Sequence, residues 1–100
     1  MFTDQELIDA GFKRYDYSVS QKHILWQKYK CVDEKEYFIN ICHYTIFDHQ
    51  CWELKLTFET DFIASNYCWI TMSIKKDANI EQIEHLAEVT FIANRGLNYG

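Results

Sequence analysis

Apolar and polar residues alternate between Tyr37 and Lys75, and this run contains no proline. Successive side chains of a β-strand point to opposite faces of a sheet, so alternation predicts strands with one buried and one exposed face. A proline would remove a hydrogen bond of the strand ladder, and its absence favours strands without interruption. The run therefore predicts an antiparallel sheet that is covered on one side.

Polar turn residues divide the chain into candidate strands. The stretch from Cys51 to Thr60 is the most regular, because Leu54, Leu56 and Phe58 alternate with polar residues. The second candidate strand has an ambiguous inward face, and loops are expected at residues 20–22, 33–35, 47–50 and 61–66. The strands are expected at Tyr15–Val19, His23–Val32, Tyr37–Phe47, Cys51–Thr60 and Tyr67–Lys75.

The N-terminal residues carry signals for the start and the end of a helix. Thr3 and Glu6 form a T-x-x-E capping box, which can satisfy free backbone amides of the first turn. Gly11 can adopt the left-handed conformation that ends a helix, and Phe12 then falls where a Schellman motif contacts Leu7. We expect a helix of two turns, which is too short to be stable alone and must dock on the sheet.

A longer helix is predicted near the C-terminal end. Asn79 is a capping residue with Gln82 three positions later, and the helix is expected to end near Gly96, with residues 98–100 as a tail. The predicted fold class is α+β, an antiparallel β-meander of four or five strands with N- and C-terminal helices packed on the sheet. The C-terminal helix would lie on the sheet through an apolar stripe of Ile80, Ile83, Ala87 and Phe91.

Length and composition fit a single domain over residues 1–100, because 48% of the residues are hydrophobic and can form a core. No apolar stretch approaches the ~20 residues that span a bilayer, and the first residues lack the features of a signal peptide. We therefore expect a cytoplasmic protein. In a reducing compartment, cysteines behave as small apolar residues, so Cys31, Cys42, Cys51 and Cys68 are expected to be free thiols.

Four residues of types that bind zinc, Cys42, His43, His49 and Cys51, lie close together in the sequence. Because Cys42 and His43 are neighbours on one strand, they face opposite sides, and at most three of the four can converge. Thiol catalysis needs an accessible polar site with an oriented base, whereas these cysteines lie in apolar strands. The sequence therefore predicts no metal, no cofactor and no enzymatic activity.

The net charge of −5 lies in residues 36–100, which hold nine acidic and four basic side chains. This balance disfavours direct binding to nucleic acid, which depends on clustered lysine and arginine. Residues 1–35 hold six acidic and six basic side chains, so they have no net positive charge. A nucleic-acid-binding module would use the basic residues of this part and its aromatic residues, namely Lys13, Arg14, Lys28 and Lys30 with Tyr15 and Trp26.

Glu81, Glu84 and Glu88 recur at helical spacing and form an acidic side of the C-terminal helix, which Ile92 continues. Tyr67 and Trp69 fall on the outward face of the fifth strand, and exposed aromatic residues are enriched at interfaces. These six residues are the candidate partner-binding surface, and a partner with a basic surface would complement it. The alternative is an ordinary solvated helix face, with the aromatic residues covered by other parts of the chain.

Five segments of the sequence resemble a class of small proteins, roughly one hundred residues long, from tailed phages and prophages. They are residues 6–15, 26–28, 36–41 and 52–58 and the Ile-Glu-Gln-Ile-Glu start of the last helix. The resemblance spans nearly the whole chain, rests on fold-defining residues and includes no catalytic signature. It implies a cytoplasmic protein of the infected cell that binds and inhibits or modulates a host or defence protein, as anti-CRISPR proteins do.

The mechanism we expect is occlusion, in which the acidic residues of the last helix meet a basic surface of the partner, one that normally holds nucleic acid. Two other functions fit the same sequence. A structural or assembly component of a phage would self-associate, for instance as a homodimer, through the sheet edges or the outer sheet face. A direct nucleic-acid-binding module would use the basic and aromatic residues of the N-terminal third.

Overall fold

The alternating segments form one antiparallel sheet of five strands in the computed structural model of the chain. The structure describes residues 2–18, 23–59, 67–75 and 77–99, excluding the side chains of residues 16–18, 59, 67–69 and 95–99. The α+β class and the meander are confirmed, because the strands lie side by side in sequence order with β1 and β5 at the two edges. The elements are α1 (Asp4–Asp9), β1 (Lys13–Ser18), β2 (His23–Val32), β3 (Lys35–Ile46), β4 (His49–Glu59), β5 (Tyr67–Ser73) and α2 (Ile80–Tyr99).

One face of the sheet, which we call the inner face, carries the core. Leu54 and Leu56 of β4 lie opposite Ile41 and Ile39 of β3, and the four side chains are almost completely buried. The ambiguity of β2 is resolved by its register, since Trp26 lies opposite Ile41 and is therefore on the inner face. The core cluster comprises Phe2, Leu7, Phe12, Trp26, Tyr37, Ile39, Ile41, Leu54, Leu56, Phe58, Ile83, Ala87 and Phe91.

Two-residue turns connect β2 to β3 and β3 to β4. In the second turn, Phe47 and Asp48 have φ angles of 46° and 66°, values that residues other than glycine seldom adopt. The predicted loop at residues 47–50 is therefore too long, because His49 and Gln50 already pair with Ile46 and Thr45 as part of β4. Short hairpins favour such left-handed turns, whose twist matches that of the strands they join.

The short helix α1 begins and ends at the predicted signals. The side chain of Thr3 accepts a hydrogen bond from the backbone N–H of Glu6 at 3.1 Å. Gly11 has a φ of 95°, and the N–H groups of Gly11 and Phe12 donate to the carbonyls of Ile8 and Leu7, as a Schellman motif requires. Leu7 is completely buried and belongs to the core cluster.

The long helix α2 contributes its predicted stripe to the core. Asn79 and Gln82 exchange hydrogen bonds between side chain and backbone N–H at 2.8 and 3.0 Å, which closes the start of the helix. The helix continues through Gly96 to Tyr99, so its predicted end near Gly96 was wrong. One glycine costs a helix only about 1 kcal/mol relative to alanine, and no proline follows to stop the helix.

Among the described residues, no helix is long and apolar enough to cross a membrane. Cys31, Cys42 and Cys51 are free thiols. Cys68 is in β5, and its side chain lies outside the described residues. The predicted turn at residues 20–22, the predicted connection at 61–66 and Val19 of the first predicted strand also lie outside them.

Replacing Phe91 by alanine is expected to lower the free energy of unfolding by about 3–5 kcal/mol, because it removes a buried ring and leaves a cavity. Phe91 is 2% exposed, stacks on Tyr37 at 4.4 Å between ring centroids and meets Phe58 at 5.3 Å. Urea denaturation monitored by circular dichroism measures the change. The matched control is Ile92→Ala, one position along α2 and exposed, for which a change within about 0.5 kcal/mol is expected.

Candidate interaction surface

The acidic side of α2 consists of Glu81, Glu84 and Glu88, and the structure places these carboxylates differently. Glu81 and Glu88 are exposed, as is Ile92, which retains 46% of its accessible surface. Ile83, Ala87 and Phe91 hold the other side of the helix on the inner face. Glu81, Glu88 and Ile92 therefore point away from the core. Two carboxylates next to a half-exposed isoleucine are therefore available to a partner.

Glu84 forms an ion pair within the chain. Its carboxylate accepts a hydrogen bond from the ammonium group of Lys28 on β2, and the ammonium group of Lys30 lies 3.9 Å away. The side chains of Glu84 and Lys28 are each 22% exposed, so water screens this pair less than it screens a fully exposed one. Glu84 therefore connects α2 to β2, and only part of its surface is open to a partner.

Tyr37 lies beneath this side of α2. It is completely buried, and none of the described residues hydrogen-bonds to its hydroxyl group. Burial raises the pKa of the Tyr37 phenol, and the nearby carboxylates of Glu88 and Glu84 raise it further. The Tyr37 phenol therefore stays neutral, because a phenolate there would be desolvated and repelled by two negative charges.

Two large apolar residues on α2 extend the candidate surface beyond the residues predicted from the sequence. Leu86 and Val89 keep 45% and 50% of their accessible surface. They are three positions apart and therefore share one side of the helix. Leu86 falls on the flank of the core stripe, where a helix on a wider sheet can be either covered or exposed, whereas Val89 falls off the stripe, next to the carboxylates.

The predicted contribution of β5 falls partly outside the described residues. The backbone of Tyr67 and Trp69 belongs to β5, but the structure does not describe their side chains. By register, Thr71 and Ser73 lie opposite Lys55 and Glu53, on the face away from α2, and both are exposed. The assignment of Tyr67 and Trp69 to a partner-binding surface therefore remains a prediction.

The face of the sheet away from α2, the outer face, holds a hydrogen-bonded polar group at its centre. The side-chain amide of Asn40 donates to the carbonyl of Lys55 and to the hydroxyl of Thr57, both at 3.0 Å, and Asn40 accepts from Gln27 at 2.9 Å. Asn40 is 5% exposed, so these bonds offset the cost of burying its amide. The group is saturated by its own contacts and offers few free donors to a ligand.

The residues considered for metal binding are divided between the two faces. His43 lies on the inner face and stacks on Trp52 at 4.1 Å, and its burial lowers the pKa of the imidazole. Cys42 lies on the outer face, where burial raises the pKa of its thiol. Within the described part of the chain, no three His, Cys, Asp or Glu side chains are close enough to hold a metal ion.

The residues that a nucleic-acid-binding module would use do not form one surface. Lys28 and Lys30 lie on the inner face near Glu84, whereas Lys13 pairs with Gln27 and lies on the outer face. Trp26 is 2% exposed, so its ring cannot stack on a base. Arg14 pairs with Asp4 at 3.1 Å.

The chain was compared with family models, curated proteins and solved structures. No family model, no curated protein and no solved structure matches it.

Replacing Glu84 by alanine is expected to lower the free energy of unfolding by about 1–2 kcal/mol, between the values typical of exposed and buried ion pairs. The variant leaves the ammonium group of Lys28 in a half-buried position without its carboxylate. Glu81→Ala is the matched control, because Glu81 is exposed on the same helix and its loss should change stability by at most about 0.5 kcal/mol. Equal effects of the two variants in urea denaturation would contradict the structural role of Glu84.

Replacing Tyr37 by phenylalanine is expected to remove part of the loss of stability at alkaline pH. The pKa of Tyr37 is raised in the folded state. The neutral phenol therefore contributes fully to the free energy of unfolding below the unfolded pKa of about 10, and this contribution is lost as pH rises through the folded pKa. At neutral pH the variant should be equally stable or slightly more stable, since the hydroxyl has no hydrogen-bond partner among the described residues.

The measurement is urea denaturation of both proteins at pH 7 and at several values above about pH 10. The difference between the two proteins isolates Tyr37 from the other tyrosines and from the thiols. A constant difference at every pH would show that Tyr37 does not titrate differently in the folded and unfolded states.

Proposed function

We propose that this protein acts by binding another protein, without catalysis, through the acidic side of α2. The observation that carries the proposal is the exposure of Glu81, Glu88 and Ile92 on a helix whose opposite side is fixed in the core. A half-exposed isoleucine next to free carboxylates combines an apolar contact with a charge that selects the partner. The partner is a host or defence protein with a basic surface.

The net charge of the protein supports a basic partner. The chain has a net charge of −5, and residues 36–100, which include α2, hold nine acidic and four basic side chains. Such a field accelerates encounter with a positively charged surface and disfavours contact with other acidic proteins. In this mechanism, α2 occupies a basic surface of the partner, one that normally holds nucleic acid, and so prevents its use.

Glu84 has a supporting role in this proposal. Its pair with Lys28 leaves 22% of the side chain exposed, so Glu84 can add to the negative potential of the surface without moving. Because one end of the pair is on α2 and the other is on β2, the ion pair also fixes the helix relative to the sheet. A rigid helix loses little conformational entropy on binding, which favours affinity.

The resemblance to small phage proteins agrees with this proposal, because such proteins commonly modulate a host or defence protein by stoichiometric binding. The location that follows is the cytoplasm of the infected cell. Tyr67 and Trp69 are proposed as additional contacts of the same kind, on the strand at the edge of the sheet.

The test compares two variants with the same change in charge. Glu81→Lys/Glu88→Lys reverses the exposed carboxylates of α2, and Asp9→Lys/Glu34→Lys reverses exposed carboxylates on α1 and on the turn between β2 and β3. Each tagged protein is used to capture partners from the cytosol of a host cell, and captured proteins are quantified by mass spectrometry. A partner purified in this way is then titrated with each variant.

The expected result is a partner that binds the parent and the Asp9→Lys/Glu34→Lys control, and binds the α2 variant at least about tenfold more weakly, which corresponds to ~1.4 kcal/mol. Ile92→Ala should also weaken binding, mainly through faster dissociation. If the α2 variant and the control bind equally well, the acidic side of α2 is not the interaction surface.

A further inference from the structure

The two edges of the sheet differ in how they are protected against pairing with another strand. The edge strand β1 carries the charged residues Lys13, Arg14 and Asp16, and its register is irregular between Asp16 and Ser18. Charges and irregular register are the usual means by which proteins prevent a sheet edge from pairing. The other edge strand, β5 (Tyr67–Ser73), has neither a charged residue nor a proline and pairs with β4 in regular register.

The backbone of β5 therefore presents an unprotected edge. In the described part of the chain, β5 pairs with β4 alone, so the hydrogen-bonding groups on its far side have no strand partner. Its sequence is rich in β-branched and aromatic residues, which favour extended structure. A strand with these properties is the preferred site for addition of a further strand.

The inner face next to this edge is incompletely covered. Ile70, Met72 and Ile74 are only half-buried, although they continue the core side of the sheet. A cavity of about 340 Å³ opens between the end of β5 and α2, with Ile74, Ala78 and Leu86 among its lining residues. Apolar surface therefore continues from the sheet edge onto the helix.

The side of α2 that faces β5 is apolar and uncharged. The hydroxyl of Thr90 lies 3.9 Å from the sulfur of Met72, which fixes this side of the helix next to β5. Leu86 is one turn before Thr90 on the same side, and Ala93 is exposed beside them. Glu84 points towards β2 instead, so the acidic side and the apolar side of the helix are separate.

We propose that two copies of this chain associate through these features, with β5 pairing antiparallel to β5 of the second copy and the two α2 helices on the same face of the joined sheet. We call this surface, which consists of the β5 edge with Ile70, Met72 and Leu86, the seam. A two-fold axis through the middle of β5 brings each side of the seam against itself. The pairing satisfies the free backbone groups of β5 and places Ile70 and Met72 next to the inner-face residues of β5 in the second copy.

Charge and shape favour a second copy over an unrelated peptide. Each chain has a net charge of −5, and this charge opposes self-association unless the contacting surface is neutral. The seam is neutral, since neither β5 nor the positions 86, 90 and 93 of α2 hold a charged residue. An added peptide would satisfy the backbone of β5, whereas a second copy also continues the apolar inner face of the sheet with its own Ile70 and Met72.

The dimer also leaves the acidic side of α2 open. Glu81 and Glu88 lie on the side of the helix away from β5, so each dimer would present two such surfaces. The inference therefore goes beyond the proposed function and does not depend on it, because the assembly can form with or without a partner protein.

The test measures the mass of the full chain in solution by light scattering coupled to size exclusion, over a range of concentrations. The parent is expected to reach twice the 12.1 kDa of one chain. Leu86→Lys places a charge on the seam, and Thr71→Lys places one on an exposed position of β5. Each variant is expected to shift the dissociation constant at least about tenfold towards monomer.

The matched control is Ile92→Lys, because Ile92 is as exposed as Leu86, at 46% and 45%, but lies on the acidic side of the same helix. It should dimerise like the parent. Circular dichroism and thermal unfolding establish that each variant is folded, so that a loss of dimer is not a loss of structure. Hydrogen exchange provides an independent measurement, since backbone amides of β5 should become more protected as concentration rises.

Three results would overturn the inference. They are a parent that stays monomeric at the highest concentration that can be reached, a dimer that Leu86→Lys and Thr71→Lys leave intact, and a dimer without added protection of β5. A monomeric parent would leave β5 to an extended peptide of another protein. Because the control Ile92→Lys alters the acidic side of α2 and Leu86→Lys does not, failure of one proposal can be distinguished from failure of the other.

Discussion

The width of the sheet is the constraint on which the rest of the structure depends. Five strands at a spacing of about 4.8 Å span roughly 19 Å, whereas an α-helix with its side chains is about 10–12 Å wide. The stripe of Ile83, Ala87 and Phe91 can therefore bury only part of the inner face. Phe2 contributes to the core beside Trp52, with 5.6 Å between the two ring centroids. The surface along β5 is left incompletely covered.

Much of the fold could be predicted because its signals are local. The alternation along β4 is regular, and Leu54, Leu56 and Phe58 are buried as predicted. The caps at Thr3 and Asn79 depend on residues three positions apart, so they can be recognised without knowledge of the fold. A loop was expected at residues 47–50, but its two-residue length could not be predicted, since the left-handed residues Phe47 and Asp48 lack the glycine or asparagine that usually indicates such a turn.

The candidate surface was harder to predict because it depends on contacts between distant residues. Helical periodicity is enough to place Glu81 and Glu88 on one side of α2. It cannot show that Glu84 pairs with Lys28, which is 56 positions away and lies on the strand with an ambiguous inward face. The exposure of Leu86 likewise depends on the width of the sheet beside the helix, a property of the fold and not of the helix sequence.

The division of α2 into separate sides allows one helix to serve several purposes. Its core side holds the sheet, Glu84 connects it to β2, and Leu86 lies towards β5. Glu81 and Glu88 remain in solvent, where negative charge favours a basic partner and opposes contact with a like surface. Self-association along β5 would therefore be compatible with partner binding, since the neutral seam is where two acidic chains can meet, and a dimer with two acidic sides would bind a repeated basic surface more tightly than one chain alone.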